Sequence, residues 1–216
     1  NEIYRMEPLN YSVVYPSKKP AKYALEVNAG WSKKNGIKPG MKLDLGGVAK
    51  GYGAAKAAEI LKTEGIEKAL IDAGGNIVVI GEKEPDQSWK IAIQDPSDLK
   101  KYFGVLKLTD QAAVTSGDYQ RYFESEGIRY HHIIDPATGK PGNKASSVTV
   151  VAEDSAIADI LSTTLFVLGK EKAVELAAKL NMDGRFGNIE FVFIEKDGSY
   201  YVSQGLESKF TLEGNR

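Results

Sequence analysis

The sequence predicts an α+β domain, and three observations carry that expectation. Short runs with strand-type alternation or β-branched content recur along most of the chain. Three clear helical segments accompany them. Turn signals such as Asp197-Gly198 join neighbouring runs closely enough for antiparallel pairing. No repeat, low-complexity stretch or linker divides the 216 residues, so a single domain over 1–216 is expected.

Taken in order, residues 13–15 and 22–27 are short extended candidates, followed by turn signals at Asn35-Gly36 and Pro39-Gly40 and a short strand at 41–45. Residues 48–63 carry Ala and Gly at close spacing with Ile60 and Leu61 on the apolar face, and stop at Gly65. That pattern reads as a helix packed tightly against a neighbour. Apolar β-rich runs at 69–72 and 77–80 flank Gly74-Gly75, and strand-type runs follow at 89–93, 104–108, 112–115 and 129–134. A turn at Pro136-Ala137-Thr138-Gly139 closes the last of these. A buried-type strand at 147–151 leads into a helix at 155–168 ended by Gly169, then a helix at 170–180. Runs at 190–194 and 200–203 flank Asp197-Gly198 as a hairpin.

Composition narrows the partners. Lys and Arg number 28 against 29 Asp and Glu, so no global field recruits nucleic acid or an anionic membrane. No apolar run approaches the roughly 20 residues of a membrane helix. With no cysteine, thiolate catalysis, zinc–cysteine sites and disulfides are excluded, and an oxidising compartment is compatible. No signal peptide is visible and the chain opens at Asn1, from which a trimmed product is expected.

Two stretches carry chemistry. In Asp44-Leu45-Gly46-Gly47-Val48-Ala49-Lys50-Gly51-Tyr52, a carboxylate, a diglycine and a lysine cluster at the entrance of an Ala-rich helix. Backbone N–H groups and the helix dipole favour anions there, and a lysine neutralises a phosphate. A diglycine before a helix is also commonly just a tight turn, and Lys50 alone would pass for a solvated surface residue. The spacing matches neither the P-loop nor G-x-G-x-x-G. In Ala158-Asp159-Ile160-Leu161-Ser162-Thr163-Thr164, Asp159 and Thr163 stand four apart on one helix face. Asp159 among apolar neighbours needs a partner, either an ion pair, a backbone bond or a cation shared with Ser162 or Thr163. Magnesium suits such oxygens better than zinc. The adjacent His131 and His132 point to opposite faces of a strand, so one at most faces a given pocket, where it would serve as general base. Thr115-Ser116-Gly117-Asp118-Tyr119 reads as a capped turn that would also line such a pocket.

The runs DLGGVAKGYGA, ALIDAGGNI, AVTSGDYQRYF, YHHIIDPATGKP and SVTVVAEDSAIADILSTTLFVLG stand in an order and spacing that resemble the ApbE family of FAD:protein FMN transferases. The resemblance covers about residues 41 to 205. It implies a T-fold-like α+β domain that binds FAD with Mg²⁺ and moves FMN to a threonine hydroxyl of an acceptor flavoprotein bearing a D-G-x-[ST]-[GSA]-x-T motif, releasing AMP. Some members instead hydrolyse FAD to FMN and AMP, and a non-catalytic flavin-binding protein is the further alternative. By matching position, the resemblance implies that Asp44 and Lys50 contact FAD and that the Gly47 carbonyl ligates the metal. Asp159 and Thr163 would be metal ligands, with Ser162 where the family often carries another carboxylate. His132 would be the catalytic base, and Ile133 would touch flavin through its backbone.

The family's N-terminal M-G-T and A-F-D motifs have no match here, and Ala55 stands where aspartate is common. Residues 1–5 resemble the segment that follows the first of those motifs, yet only about 40 residues separate them from Asp44. The N-terminal part is therefore expected to be incomplete relative to the family. The resemblance also implies an extracytoplasmic location, with a membrane anchor in the full-length protein.

Overall fold

The computed structural model describes residues 31–34, 36, 38, 45–126 and 128–213. The chain divides into two compact units, Asn1–Asp44 and Leu45–Arg216. In the first, a short helix α1 spans Trp31–Lys34. The strands expected at 13–15 and 22–27 lie outside the described residues, as do Asp44 and the rest of the 41–44 segment.

The second unit begins with helix α2 (Ala49–Thr63) and strands β1 (Ala69–Asp72), β2 (Asn76–Ile80), β3 (Trp89–Gln94), β4 (Tyr102–Leu108) and β5 (Ala112–Gly117). Short strands β6 (Tyr122–Ser125), β7 (Ile128–His131), β8 (Ile134–Asp135) and β9 (Lys140–Pro141) follow. Then come β10 (Ser147–Ala152), α3 (Ser155–Leu168), α4 (Lys170–Asp183), β11 (Glu190–Ile194), β12 (Tyr200–Val202) and β13 (Phe210–Leu212). This is the antiparallel α+β architecture that the sequence predicts.

A six-stranded sheet runs β1-β2-β5-β10-β11-β12, with every neighbouring pair antiparallel. Its central strands alternate side chains between two buried faces. On one face Val114, Val148, Val150 and Phe193 pack against Ala158, Leu165 and Phe166 of α3 and Ala173 of α4. On the other, Val79, Ala113, Val151 and Val192 meet Ile91, Ile93, Phe103 and Leu106 of a smaller three-stranded sheet, β13-β4-β3. Covered on both sides, β10 is buried at every position, which is why its sequence is a continuous apolar run with small polar residues rather than an alternation. Burying a Leu, Ile, Val or Phe side chain contributes roughly 1.5–3 kcal/mol, so the two interfaces dominate the stability of this unit.

Helix α2 lies on the same face as α3, and its Ala54 and Ala58 pack against Val78, Ile80 and Ala112. The buried stripe Gly51, Ala54, Ala58 follows the helical period and explains the small residues read in the sequence. Helix α3 starts where the Asp154 carboxylate accepts the Ala156 N–H at 2.7 Å and ends at Gly169. No helix among the described residues is long and apolar enough to cross a membrane.

The single strand expected at 129–134 is interrupted. Strand β7 ends at His131, and pairing resumes at Ile134. The burial alternation nevertheless persists, with His131 and Ile133 inside and His132 and Ile134 outside. Strand β6, which pairs with β7, has every residue exposed and therefore shows no hydrophobic alternation to read. The three-residue β13, at the edge of the smaller sheet, is likewise not evident in the sequence.

Candidate functional site

The mouth of α2 is a turn. Val48 and Ala49 both donate to the Leu45 carbonyl, at 3.1 and 2.9 Å, and Gly46 and Gly47 form the bend between. Lys50, in the first turn of α2, reaches the Gly74 carbonyl with its Nζ at 3.3 Å. That carbonyl belongs to the Gly74-Gly75 turn between β1 and β2, whose φ values of 65° and 90° lie in the left-handed region that glycine adopts without penalty. The first motif and the diglycine turn, far apart in sequence, therefore meet at one helix entrance.

Asp159 comes to the same entrance from α3. Its Oδ2 accepts the Gly51 N–H at 2.8 Å, and the residue is 5% exposed. Among the described residues no lysine, arginine or histidine pairs with it. A buried carboxylate held by one hydrogen bond and no cation is costly. Ser162 and Thr163 follow on α3, where Ser116 of β5 joins them, its Oγ 2.8 Å from Ser162 Oγ and 3.0 Å from Thr163 Oγ1. The Ser162 hydroxyl also donates to the Asp159 backbone carbonyl at 3.0 Å.

This oxygen set suits a hard divalent cation: one carboxylate without a basic partner among the described residues, neutral hydroxyls further along the same helix and the Gly47 carbonyl in the turn at the adjacent helix mouth. Among the described residues no group of three or more His, Cys, Asp or Glu is placed to hold a metal ion, and the candidate oxygens described here other than those of Asp159 are neutral. Asp159, Gly47, Ser162 and Thr163 are the residues that would hold it. Asp44, expected beside them, lies outside the described residues.

The two histidines occupy opposite environments. His131 is buried, sits edge-on to Phe166 at 5.5 Å between ring centroids, and bonds the Gly142 carbonyl through Nε2 at 2.8 Å. Since a carbonyl only accepts, Nε2 carries the proton and Nδ1 is left bare; Nδ1 has no partner among the described residues. Burial pushes the imidazole below its ordinary value of 6.5, with the bond to Gly142 opposing. A histidine whose folded-state pKa is depressed favours the unfolded chain as acid is added. Stability attributable to His131 is therefore present above pH 6.5 and lost as pH falls below it toward the folded-state value. Urea titrations from about pH 7 down to about pH 5 should show the midpoint falling, and His131→Gln should flatten that part of the profile.

His132 is exposed, and its Nδ1 lies 3.3 Å from the Arg121 carbonyl. It stands where His131 and Ile133 anchor the chain against α3, since Ile133 belongs to the cluster that includes Phe166. Phe166 is one turn beyond Thr163, so the same helix supports both ends of the candidate site. No hydrogen bond among the described residues joins His132 to Asp159, Ser162 or Thr163. The Ile133 carbonyl accepts the Gly142 N–H at 3.0 Å.

Two clefts are lined by other residues. One of about 520 Å³ is lined by Asp95, Asp118, Arg129 and Lys196 among others, and one of about 190 Å³ by Gly75, Ile93, Thr115 and Tyr119. Neither is lined by Lys50, His132 or Asp159. The sequence marks no role for Gly51 or Asn76, and Ser116 fits a capped turn there. The Asn76 side chain is buried on the first residue of β2 with neither amide atom hydrogen-bonded among the described residues. No sequence signal marks an unpaired amide, but the spacing of Gly51 to the alanines of α2 marks a close helix crossing.

A sequence model of the ApbE family matches residues 14–186. The chain is 39% identical over 175 residues to the FAD:protein FMN transferase of Klebsiella pneumoniae (strain 342), covering 80% of this chain and 52% of that protein. It is 39% identical over 191 residues to the protein of the same name from Treponema pallidum (strain Nichols), covering 81% and 51%. Among solved structures, the ApbE protein of Thermotoga maritima superposes with a TM-score of 0.70 at 35% identity, covering 78% of this chain and 53% of that one. The flavin transferase ApbE of Vibrio cholerae gives 0.66 at 34%, covering 79% and 53%. The chain thus spans about half the length of these relatives. Ordered motifs, fold and relatives agree, and the chain belongs to the ApbE family.

Proposed function

We propose that this protein transfers the FMN moiety of FAD to a threonine hydroxyl of an acceptor flavoprotein and releases AMP. The observation that carries the reading is Asp159: a buried carboxylate with no basic partner among the described residues, bonded to the first turn of the helix that presents Lys50 and followed along α3 by Ser162 and Thr163, whose hydroxyls cluster with that of Ser116. The names of the relatives from Klebsiella pneumoniae and Treponema pallidum, FAD:protein FMN transferase, support the choice of ligand.

Asp159, the Gly47 carbonyl, Ser162 and Thr163 would hold Mg²⁺, which when bound draws charge from the pyrophosphate. Lys50 releases the Gly74 carbonyl to solvent and pairs with a phosphate oxygen, and Asp44 and the Ile133 backbone contact FAD. His132 accepts the proton of the threonine hydroxyl as its oxygen bonds to the FMN phosphorus. The phosphorus–oxygen bond to AMP breaks, and AMP leaves with the bridging oxygen. The acceptor is a flavoprotein with a D-G-x-[ST]-[GSA]-x-T segment. The full-length protein acts outside the cytoplasmic membrane, attached to it.

Incubation with FAD, Mg²⁺ and such an acceptor tests the proposal through AMP release and in-gel flavin fluorescence. Labelling with AMP release supports transfer, AMP without labelling makes the chemistry hydrolysis, and FAD binding with neither makes the protein a flavin binder. Lys50→Met keeps most of the aliphatic stem and removes the charge. It should weaken FAD binding by roughly 1.5–3 kcal/mol, about tenfold to a hundredfold. Calorimetry checks it, and an unchanged dissociation constant would return Lys50 to the role of a solvated surface lysine.

A further inference from the structure

We infer that the backbone N–H of Gly51 is a positioning group for two metal-binding oxygens at once, those of Asp159 and Gly47. The inference rests on the Mg²⁺ reading proposed above. In a regular α-helix the N–H of each residue bonds the carbonyl four residues back, which for Gly51 is that of Gly47. The neighbouring Tyr52 obeys the rule, donating to Val48 at 2.9 Å. Gly51 does not: its N–H goes to Asp159 Oδ2 at 2.8 Å. No other N–H among the described residues bonds the Gly47 carbonyl in its place.

One hydrogen bond therefore has two consequences. It fixes one carboxylate oxygen of Asp159, so the rotation of that side chain is set by the backbone of α2 rather than by a neighbouring side chain. It also withholds from the Gly47 carbonyl its helical donor, leaving a hard acceptor oxygen at the mouth of the helix. If the N–H returned to Gly47, the helix would become regular by one more bond, the carbonyl would commit one of its two lone pairs to it and the carboxylate would lose its only hydrogen bond among the described residues. Both candidate ligands would be weakened together, the carbonyl in availability and the carboxylate in orientation.

Glycine is what permits the contact. A Cβ at position 51 would stand 2.3 Å from the Ser155 carbonyl oxygen and 2.6 Å from Asp159 Cβ. Neither is the end of a flexible chain, so any side chain here separates α2 from α3 and stretches the bond. Groups that orient metal ligands from behind commonly change metal affinity by about tenfold to a hundredfold when altered.

The test is a calorimetric Mg²⁺ titration of Gly51→Ala in the presence of FAD, with FAD affinity measured separately in chelator and the thermal midpoint recorded. The expected result is a Mg²⁺ affinity at least about tenfold weaker, with metal-free FAD affinity within about twofold of the unmutated protein. A folded Gly51→Ala that binds Mg²⁺ as tightly as the unmutated protein overturns the inference, whatever its thermal midpoint, because a packing role alone would lower the midpoint and leave Mg²⁺ affinity in place. Where Gly51→Ala does not fold, an ester in place of the peptide N–H at position 51 removes the donor and adds no bulk. The same loss is expected of it, and unchanged Mg²⁺ affinity overturns the inference equally. An unmutated protein that binds no Mg²⁺ sinks the metal reading itself, a different result that leaves nothing for Gly51 to position.

Discussion

Asp159→Ala should lower Mg²⁺-dependent release of AMP from FAD by roughly a hundredfold or more, on the order of 3 kcal/mol or more of transition-state stabilisation. Asp159 is the one carboxylate in the α3 motif, and the hydroxyls around it are weak substitutes for its charge. From sequence alone the substitution looks structurally mild, since the buried charge would leave with its ion. The structure adds a cost: without the carboxylate, the Gly51 N–H loses its acceptor in a buried position, and such an orphaned donor costs roughly 1–3 kcal/mol unless it turns back to Gly47. Asp159→Asn separates the two effects, because its side-chain oxygen still accepts from Gly51 while the charge is gone. Both variants should be catalytically poor, with only the alanine form less stable to urea. Full Mg²⁺-dependent cleavage by a folded Asp159→Ala would remove this residue from the ion site.

His132→Ala should abolish covalent flavin labelling of a threonine-bearing acceptor while leaving FAD binding nearly intact. A threonine hydroxyl holds its proton tightly, so attack needs a base within hydrogen-bond reach, whereas water attacking an activated pyrophosphate needs one less strictly. The His132 imidazole is exposed and meets only the Arg121 carbonyl among the described residues, so an incoming hydroxyl can reach it. His131→Ala is the contrasting variant, and it should leave labelling by the folded fraction much less affected. Its cost falls on the fold: a cavity beside Phe166 and an unbonded Gly142 carbonyl together lower stability by roughly 2–4 kcal/mol. Equal labelling by the two variants, measured per folded molecule, would overturn the base assignment.

Most of the architecture was legible because its signals are local. The edges of α2, β1 and α3 come from Gly65, the Gly74-Gly75 turn and the Asp154 cap, each acting within a few residues. The alternation of His131, His132 and Ile133 was equally readable, because a period of two survives even where regular pairing stops. What could not be read were facts about pairs distant in sequence. The bond between Gly51 and Asp159 spans 108 positions, and each residue alone carries an ordinary local explanation. Ser116 is similar, a plausible turn residue until β5 sets it against Ser162 and Thr163. Strand β6 escaped for a different reason: with both faces in solvent, nothing constrains its hydrophobic pattern.

The adjacency of the two histidines constrains how the hairpin before them can change over evolution. Surface turns ordinarily accept insertions and deletions, and the turn between β6 and β7 is free to do so while Tyr122 remains opposite His131. A single residue gained or lost between that pairing and Ile134 is another matter. Successive side chains there face opposite ways, so a slip of one exchanges inside for outside. The imidazole that now packs on Phe166 would be turned to solvent, and the one that now meets solvent would be driven into the core. Descendants of this chain should therefore vary the hairpin's tip in length while keeping the count from β7 to β8 unchanged.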